Sequence, residues 1–139
     1  MAVRQAVAAD IPGIQRVRAS VNENRLVSTT ISDEDVRVAI EDTGRGWVVD
    51  EEGEVAAFAV GNVITGHVWA LFVRPESEGR GYGRQLHDAM INWLFAAGAD
   101  RLWLTTEPGT RAQRFYETAG WNLAGTTDQG ELRYERQRP

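Results

Sequence analysis

Apolar and polar positions alternate along this chain in short runs, and capping or turn residues stand between them. Residues 3–6 read as a strand, and Asp10 followed by Pro12 predicts the start of a helix. Ile11, Ile14, Val17 and Val21 recur at roughly helical spacing and give that helix one apolar stripe. The polar run 22–30 (NENRLVSTT) predicts a loop. Ser32, with Asp35 three residues on, predicts the cap of a second helix carrying Val36, Ala39 and Ile40. Residues 46–50 and 54–62 read as two strands joined by an acidic turn that ends at Gly53. Residues 67–73 (HVWALFV) form a third apolar strand, which Pro75 should end.

A glycine cluster follows, Glu78-Gly79-Arg80-Gly81-Tyr82-Gly83, and then a strong helical pattern. Leu86, Met90, Trp93, Leu94 and Ala97 share its apolar face, and Gly98 is placed to stop it. Residues 101–106 (RLWLTT) read as a strand. Thr110 and Gln113 pattern as a second capping box, opening a helix with Ala112, Phe115, Tyr116 and Ala119 that Gly120 terminates. Strands at 121–125 and 131–135 complete the order β-α-α-β-β-β-α-β-α-β-β. That order predicts an α/β fold: a mixed, mostly antiparallel sheet of about seven strands between four helices. No repeat or linker interrupts it, so residues 1–139 read as one domain, long enough to bury a core unaided.

Composition narrows the chemistry. The absence of cysteine excludes a disulfide framework, a thiolate metal site and a cysteine nucleophile, and fits a cytoplasmic protein. A net charge of −5 argues against non-specific nucleic-acid binding, which depends on neutralising many phosphates, and suits a cationic acceptor. No apolar run approaches the roughly 20 residues that cross a bilayer, so no membrane partner is expected. The two histidines, His67 and His87, lie far apart in sequence and read as structural or exposed, and no metal site is read. Core packing is the first reading of Trp47, Trp69, Trp93, Trp103 and Trp121, although Trp69 can also face a ligand pocket. The arginine-rich stretch 133–138 reads as a solvated edge strand and tail.

A strand, a glycine-rich loop and a helix in succession suit a phosphorylated ligand. A helix N-terminus leaves backbone N–H groups unpaired and carries partial positive charge. Glycines let the backbone approach phosphate closely, and Arg80 and Arg84 add charge at the same point. Neither familiar nucleotide loop fits. There is no G-x-x-x-x-G-K-[ST], and G-x-G-x-x-G fails because its last glycine falls on Arg84 from one start and Leu86 from the other. A loop that only needs flexibility before a helix is the bland alternative.

Two segments resemble the GCN5-related N-acetyltransferase superfamily. One is Trp69-Ala70-Leu71-Phe72-Val73, then Arg74-Pro75 and the loop ending Gly81-Tyr82-Gly83, similar to an apolar strand, Val-x-Pro and [Q/R]-x-x-G-x-[G/A]. The other, Ala112-Gln113-Arg114-Phe115-Tyr116-Glu117-Thr118-Ala119-Gly120-Trp121, resembles A-x-x-F-Y-x-x-x-G-[F/W]. Two positions depart from the pattern. Glu78 stands where Gln or Arg is usual and is expected to face solvent, and Gly109 stands where Asn is common.

The resemblance implies acetyl transfer from acetyl-coenzyme A to an amine, with the acetyl-CoA as co-substrate. It implies that backbone groups of Phe72 and Val73 meet the pantetheine arm. Gly79, Arg80, Gly81, Tyr82, Gly83 and Arg84 would cradle the pyrophosphate, and Phe115 would pack beside the pantetheine. Tyr116 would protonate the departing thiolate, whereas helical spacing alone makes it a core aromatic. The acceptor amine, small-molecule or peptide, must lose a proton before attack. Glu23 is one candidate base or acceptor contact and Glu107 another, and each also reads as a solvated carboxylate. Direct attack is implied, since no cysteine or G-x-S-x-G serine offers a covalent route. Family members often form homodimers. Two rivals remain open on the same fold: a coenzyme A-binding regulatory module, and a transferase of longer acyl groups.

Overall fold

The computed structural model describes residues 3–21 and 31–139. The elements are β1 (Val3–Gln5), α1 (Ile11–Ser20), α2 (Asp33–Glu41), β2 (Gly44–Glu51), β3 (Glu54–Asn62), β4 (Val68–Val73), α3 (Tyr82–Ala96), β5 (Arg101–Thr106), α4 (Arg111–Thr118), β6 (Asn122–Thr126) and β7 (Leu132–Gln137). This is the order predicted from the sequence. The seven strands are nevertheless divided between two antiparallel sheets, β1-β2-β3-β4 and β5-β7-β6. A single parallel bridge, His67 to Trp103, joins them.

Local chemistry sets the helix starts. The Ser32 hydroxyl accepts from the Asp35 N–H at 3.0 Å, and the Asp35 carboxylate accepts from the Ser32 N–H at 2.9 Å, a complete reciprocal cap for α2. Thr110 accepts from the Gln113 N–H at 3.2 Å, but Gln113 reaches back to the Gly109 N–H at 2.7 Å instead of to Thr110. Asp10 does not cap α1 through its side chain. That carboxylate takes both guanidinium nitrogens of Arg4, at 2.8 and 2.9 Å, and the Val7 N–H at 2.8 Å, which closes the turn leading into the helix. Helix α1 ends at Ser20, so Val21 lies beyond the stripe as an extended cap.

Two apolar clusters cover the faces of the first sheet. Ile11, Ile14 and Val17 of α1 with Val36 and Ile40 of α2 pack on Val48, Val55, Phe58 and Val60. Leu86, Met90 and Leu94 of α3 pack on Val49, Ala57, Ala59 and Val68, and that cluster continues through Leu102, Leu104, Tyr116, Trp121 and Tyr134 of the second sheet and α4. Burial on the second face therefore holds together two sheets that share almost no backbone pairing. Ala97 is exposed at the end of α3, outside the face predicted for it.

One strand differs from its sequence reading. β7 lies between β5 and β6, paired to both, and is not an edge. Its arginines are engaged: the Arg133 guanidinium sits 4.4 Å over the Trp103 ring, and Arg136 donates to the Ala119 carbonyl at 2.6 Å at the end of α4. Period-two patterning cannot distinguish a centre strand with a polar face from an edge strand.

The joint between the sheets depends on Gly66. Trp103 N–H donates to the Gly66 carbonyl at 3.0 Å, Gly66 has φ +76°, and a Cβ there would lie 2.3 Å from the Arg101 carbonyl oxygen. Gly66→Ala is expected to destabilise the protein by about 2 kcal/mol, combining positive φ with a backbone clash. Thermal unfolding followed by circular dichroism should show the midpoint falling by roughly 5–10 °C.

Candidate functional site

Past the His67–Trp103 bridge, β4 and β5 pair no further, and a gap opens toward Val73 and Thr106. The register of β4 on β3 decides which backbone groups line it. Arg74 N–H donates to the Ala56 carbonyl at 2.9 Å, and Val73 lies opposite Ala57. Backbone groups in such a ladder point alternately to the two neighbours. Phe72 therefore turns its N–H and C=O toward β3, while Leu71 and Val73 present theirs to the gap. This corrects the pairing of Phe72 with Val73 read from the sequence, where Leu71 carried no signal because register is a tertiary property.

The glycine loop stands at the open end of that gap. Gly79 and Gly81 both have φ +82°, and Gly81 is the N-cap of α3. A Cβ at Gly79 would have no atom within 4 Å, so its glycine answers to backbone conformation and not to packing. At Gly83, in the first turn, a Cβ would lie 3.8 Å from Val73 and 3.7 Å from Phe115. Its absence leaves the corner between β4, α3 and α4 open. The first turn of this 15-residue helix leaves backbone N–H groups without helical partners beside the loop.

Side chains around the loop are largely engaged with one another. Glu51, at the end of β2, accepts from Ser77 Oγ at 2.7 Å, Tyr82 Oη at 2.7 Å, Arg74 at 3.0 Å and Arg80. Hydrogen bonds from Ser77, Tyr82 and Arg74, and then Arg80, draw the Glu51 carboxyl down to about 2. The sequence did not single out Glu51, because a glutamate before a tight turn reads as a turn residue. Glu78 forms an ion pair with Arg111 at the start of α4 and does not simply face solvent. Arg84 lies 3.6 Å from Asp88. Arg84, Arg111, Arg114, Phe115, Thr118 and Ala119 line a cavity of about 320 Å³ beside the loop.

Phe115 reaches this corner from α4, and Tyr116 follows it on the same helix. Tyr116 is 94% buried, with Phe115, Trp121 and His87 around it at ring separations of 5.3, 5.6 and 6.5 Å. Its hydroxyl has no hydrogen-bond partner among the described residues, and burial pushes its pKa up, which keeps the proton on the phenol. His87 is also buried. It accepts from Trp121 Nε1 at 2.9 Å through Nε2, which places its own proton on Nδ1, 3.0 Å from Asp88.

The remaining candidates fall elsewhere. Glu23 lies outside the described residues. Glu107 is half-buried at the end of β5, and its carbonyl accepts from the Thr110 hydroxyl at 2.8 Å. His67 stacks on Trp103, centroids 4.0 Å apart, at the closed end of the gap. Trp69 borders a separate cavity of about 270 Å³ on the α2 side, with Asp35 and Asn62. Among the described residues no cluster of three His, Cys, Asp or Glu is placed to hold a metal.

The sequence profile described as "Acetyltransferase (GNAT) family" matches residues 14–121. The chain belongs to the GNAT family. It is 37% identical over 81 residues to a mycothiol acetyltransferase of Beutenbergia cavernae, covering 54% of this chain and 27% of that protein. It is 33% identical over 75 residues to the [ribosomal protein bS18]-alanine N-acetyltransferase of Haemophilus ducreyi, covering 52% of each. The chain thus spans about a quarter and about half of the lengths of these curated relatives. In fold it matches the ribosomal-protein-S18-alanine N-acetyltransferase of Escherichia coli (TM-score 0.78, 20% identity, 98% of this chain and 92% of that one). It also matches the PaiA N-acetyltransferase of Thermoplasma acidophilum, solved with coenzyme A (TM-score 0.81, 15% identity, 99% and 98%).

The cleft offers a free strand edge, helix N–H groups beside glycines, which suit an anion, and an arginine-lined cavity. The buried His87 makes a separate prediction. Desolvation holds its pKa below 6.5, so the unfolded chain binds the proton more readily than the native one. Its contribution to stability is complete above pH 6.5 and is lost as pH falls from there through the lowered native pKa. Urea midpoints measured between pH 7.5 and 5.5 should fall, and His87→Gln, less stable at pH 7.5, should show a shallower decline.

Proposed function

We propose that this protein transfers an acetyl group from acetyl-CoA to a primary amine, both substrates being bound at once. The observation that carries the reading is the parting of β4 from β5, which frees the Leu71 and Val73 backbone edge beside the glycine loop at the start of α3. In the reaction the acceptor nitrogen attacks the thioester carbonyl carbon. The C–N bond forms, the C–S bond breaks, the amine proton leaves to a base or through water, and the Tyr116 hydroxyl supplies a proton to the departing sulfur. Burial keeps the phenol protonated, the state from which it can donate. Placing two reactants side by side supplies much of the rate. The relatives' names, mycothiol and ribosomal-protein alanine, support an acceptor that is a small-molecule or peptide amine.

Calorimetric titration with acetyl-CoA, ATP and NAD tests the co-substrate, and an amine screen then tests turnover. Saturable binding of acetyl-CoA alone, with turnover of some amine, is the expected result. Binding without turnover of any amine would favour a coenzyme A-binding regulatory module, and preference for longer thioesters would favour a broader acyltransferase. Tyr116→Phe is expected to lower kcat about 100-fold while leaving acetyl-CoA affinity within about threefold. The arginine-lined cavity is read as contacting the 3′-phosphate of the co-substrate. Replacing both Arg111 and Arg114 by Ala should therefore weaken binding of CoA about tenfold more than binding of dephospho-CoA, measured in the same titration.

A further inference from the structure

Glu51 belongs to a strand that lies outside the cleft, yet its carboxylate holds both ends of the glycine loop. Oε1 accepts from Arg74 and from Ser77, before the two positive-φ glycines, at 3.0 and 2.7 Å. Oε2 accepts from Arg80, between the two glycines, and from Tyr82, beyond them, at 2.7 Å. Four donors fill the lone-pair sites of a carboxylate. The carboxylate is enclosed, with the Glu51 side chain 12% exposed, Ser77 fully buried and Tyr82 7% exposed, while the Arg80 side chain that covers it is 53% exposed.

Register brings them together. Glu51 lies opposite Glu54 at the β2–β3 turn, and Arg74 is hydrogen-bonded to Ala56 just inside it, so the turn sits against the end of β4 where the loop begins. The glycines themselves have little else to fix them. No atom lies within 4 Å of a Cβ position at Gly79, and at Gly81 only the tip of Gln85 does, at 3.9 Å. Two glycines in an exposed loop carry high conformational freedom in the absence of such a tether. The same bonds engage Arg80, which leaves anion binding at the loop to the backbone N–H groups.

We propose that Glu51 is the positioning residue of the phosphate-binding loop, fixing its backbone N–H groups in the geometry that receives the pyrophosphate of coenzyme A. This rests on the coenzyme A reading of the cleft. Glu51 touches no substrate. It acts through Ser77, Tyr82, Arg74 and Arg80, and its removal raises the cost of ordering the loop on binding.

Calorimetry with CoA on the wild type, Glu51→Gln, Tyr82→Phe and the double variant tests this, alongside steady-state kinetics. Glutamine keeps one oxygen but turns an NH₂ toward the Tyr82 and Arg80 donors. Glu51→Gln should weaken CoA about tenfold at unchanged stoichiometry and raise KM for acetyl-CoA in parallel, with kcat and KM for the amine within about threefold. Tyr82→Phe should weaken CoA about threefold and add little to Glu51→Gln, because both break the same contact. A structural role alone would lower the unfolding midpoint or the binding stoichiometry while leaving the CoA Kd unchanged, and that result overturns the proposal. Should Glu51→Gln fail to fold, an unchanged Kd in Tyr82→Phe overturns it equally. Failure of the wild type to bind CoA overturns the coenzyme A reading itself, and this inference with it.

Discussion

The hydrogen bond from Trp103 N–H to the Gly66 carbonyl is where the two sheets meet, and much of the site depends on how little follows it. Had β4 and β5 continued as a parallel ladder, the backbone groups of Leu71 and Val73 would have been spent on β5. Because pairing stops at His67 and Trp103, those groups face a gap, and a ligand with its own amides can complete them. The Gly66 conformation, the Trp103 indole bonded to the Thr65 carbonyl at 3.1 Å and the His67 ring stacked on it fix the closed end. The core beneath α3 and α4 keeps the open end from drifting.

Charge around the gap is arranged in pairs. The chain is acidic overall, at −5, yet Arg74, Arg80, Arg84, Arg111 and Arg114 lie around the loop and at the start of α4. Glu51 takes Arg74 and Arg80, Glu78 takes Arg111, and Asp88 lies near Arg84. The carboxylates limit repulsion between the guanidinium groups and orient them. Exposed pairs such as Arg84–Asp88 contribute little to stability, so their main effect is on what the neighbouring cavity presents to an anion. The Glu51 cluster differs because its carboxylate is enclosed by Ser77 and Tyr82 and the acceptor is saturated.

Beneath the cleft lies an aromatic layer that bears on two residues the sequence singled out. His87 is structural, a neutral imidazole accepting from Trp121 and lying edge-on to Phe115, and it sits on the same face of α3 as Leu86 and Met90. Tyr116 is a core aromatic by packing, and its hydroxyl has no hydrogen-bond partner among the described residues. Its two readings from the sequence turn out to be compatible, because the ring and the oxygen answer to different surroundings.

Element order, the caps at Ser32 and Thr110, the glycine loop before α3 and the Phe115-Tyr116 segment could all be read from the chain, since each is encoded by residues within a few positions of one another. The division into two sheets, the central place of β7, the exchange of Leu71 for Phe72 at the gap and the partners of Glu51 and Glu78 could not. These depend on register and on contacts 17 to 46 positions apart of the kind made by Glu117 with Tyr134 or Arg4 with Asp50. Periodicity says which face of a strand is apolar, but it carries no term for which strand lies alongside or where their pairing stops. The sequence by itself determined the elements and the kind of ligand their glycine loop suits. Tertiary structure decided which backbone groups are left unpaired and which carboxylate holds the loop, because both follow from burying apolar surface across the whole domain.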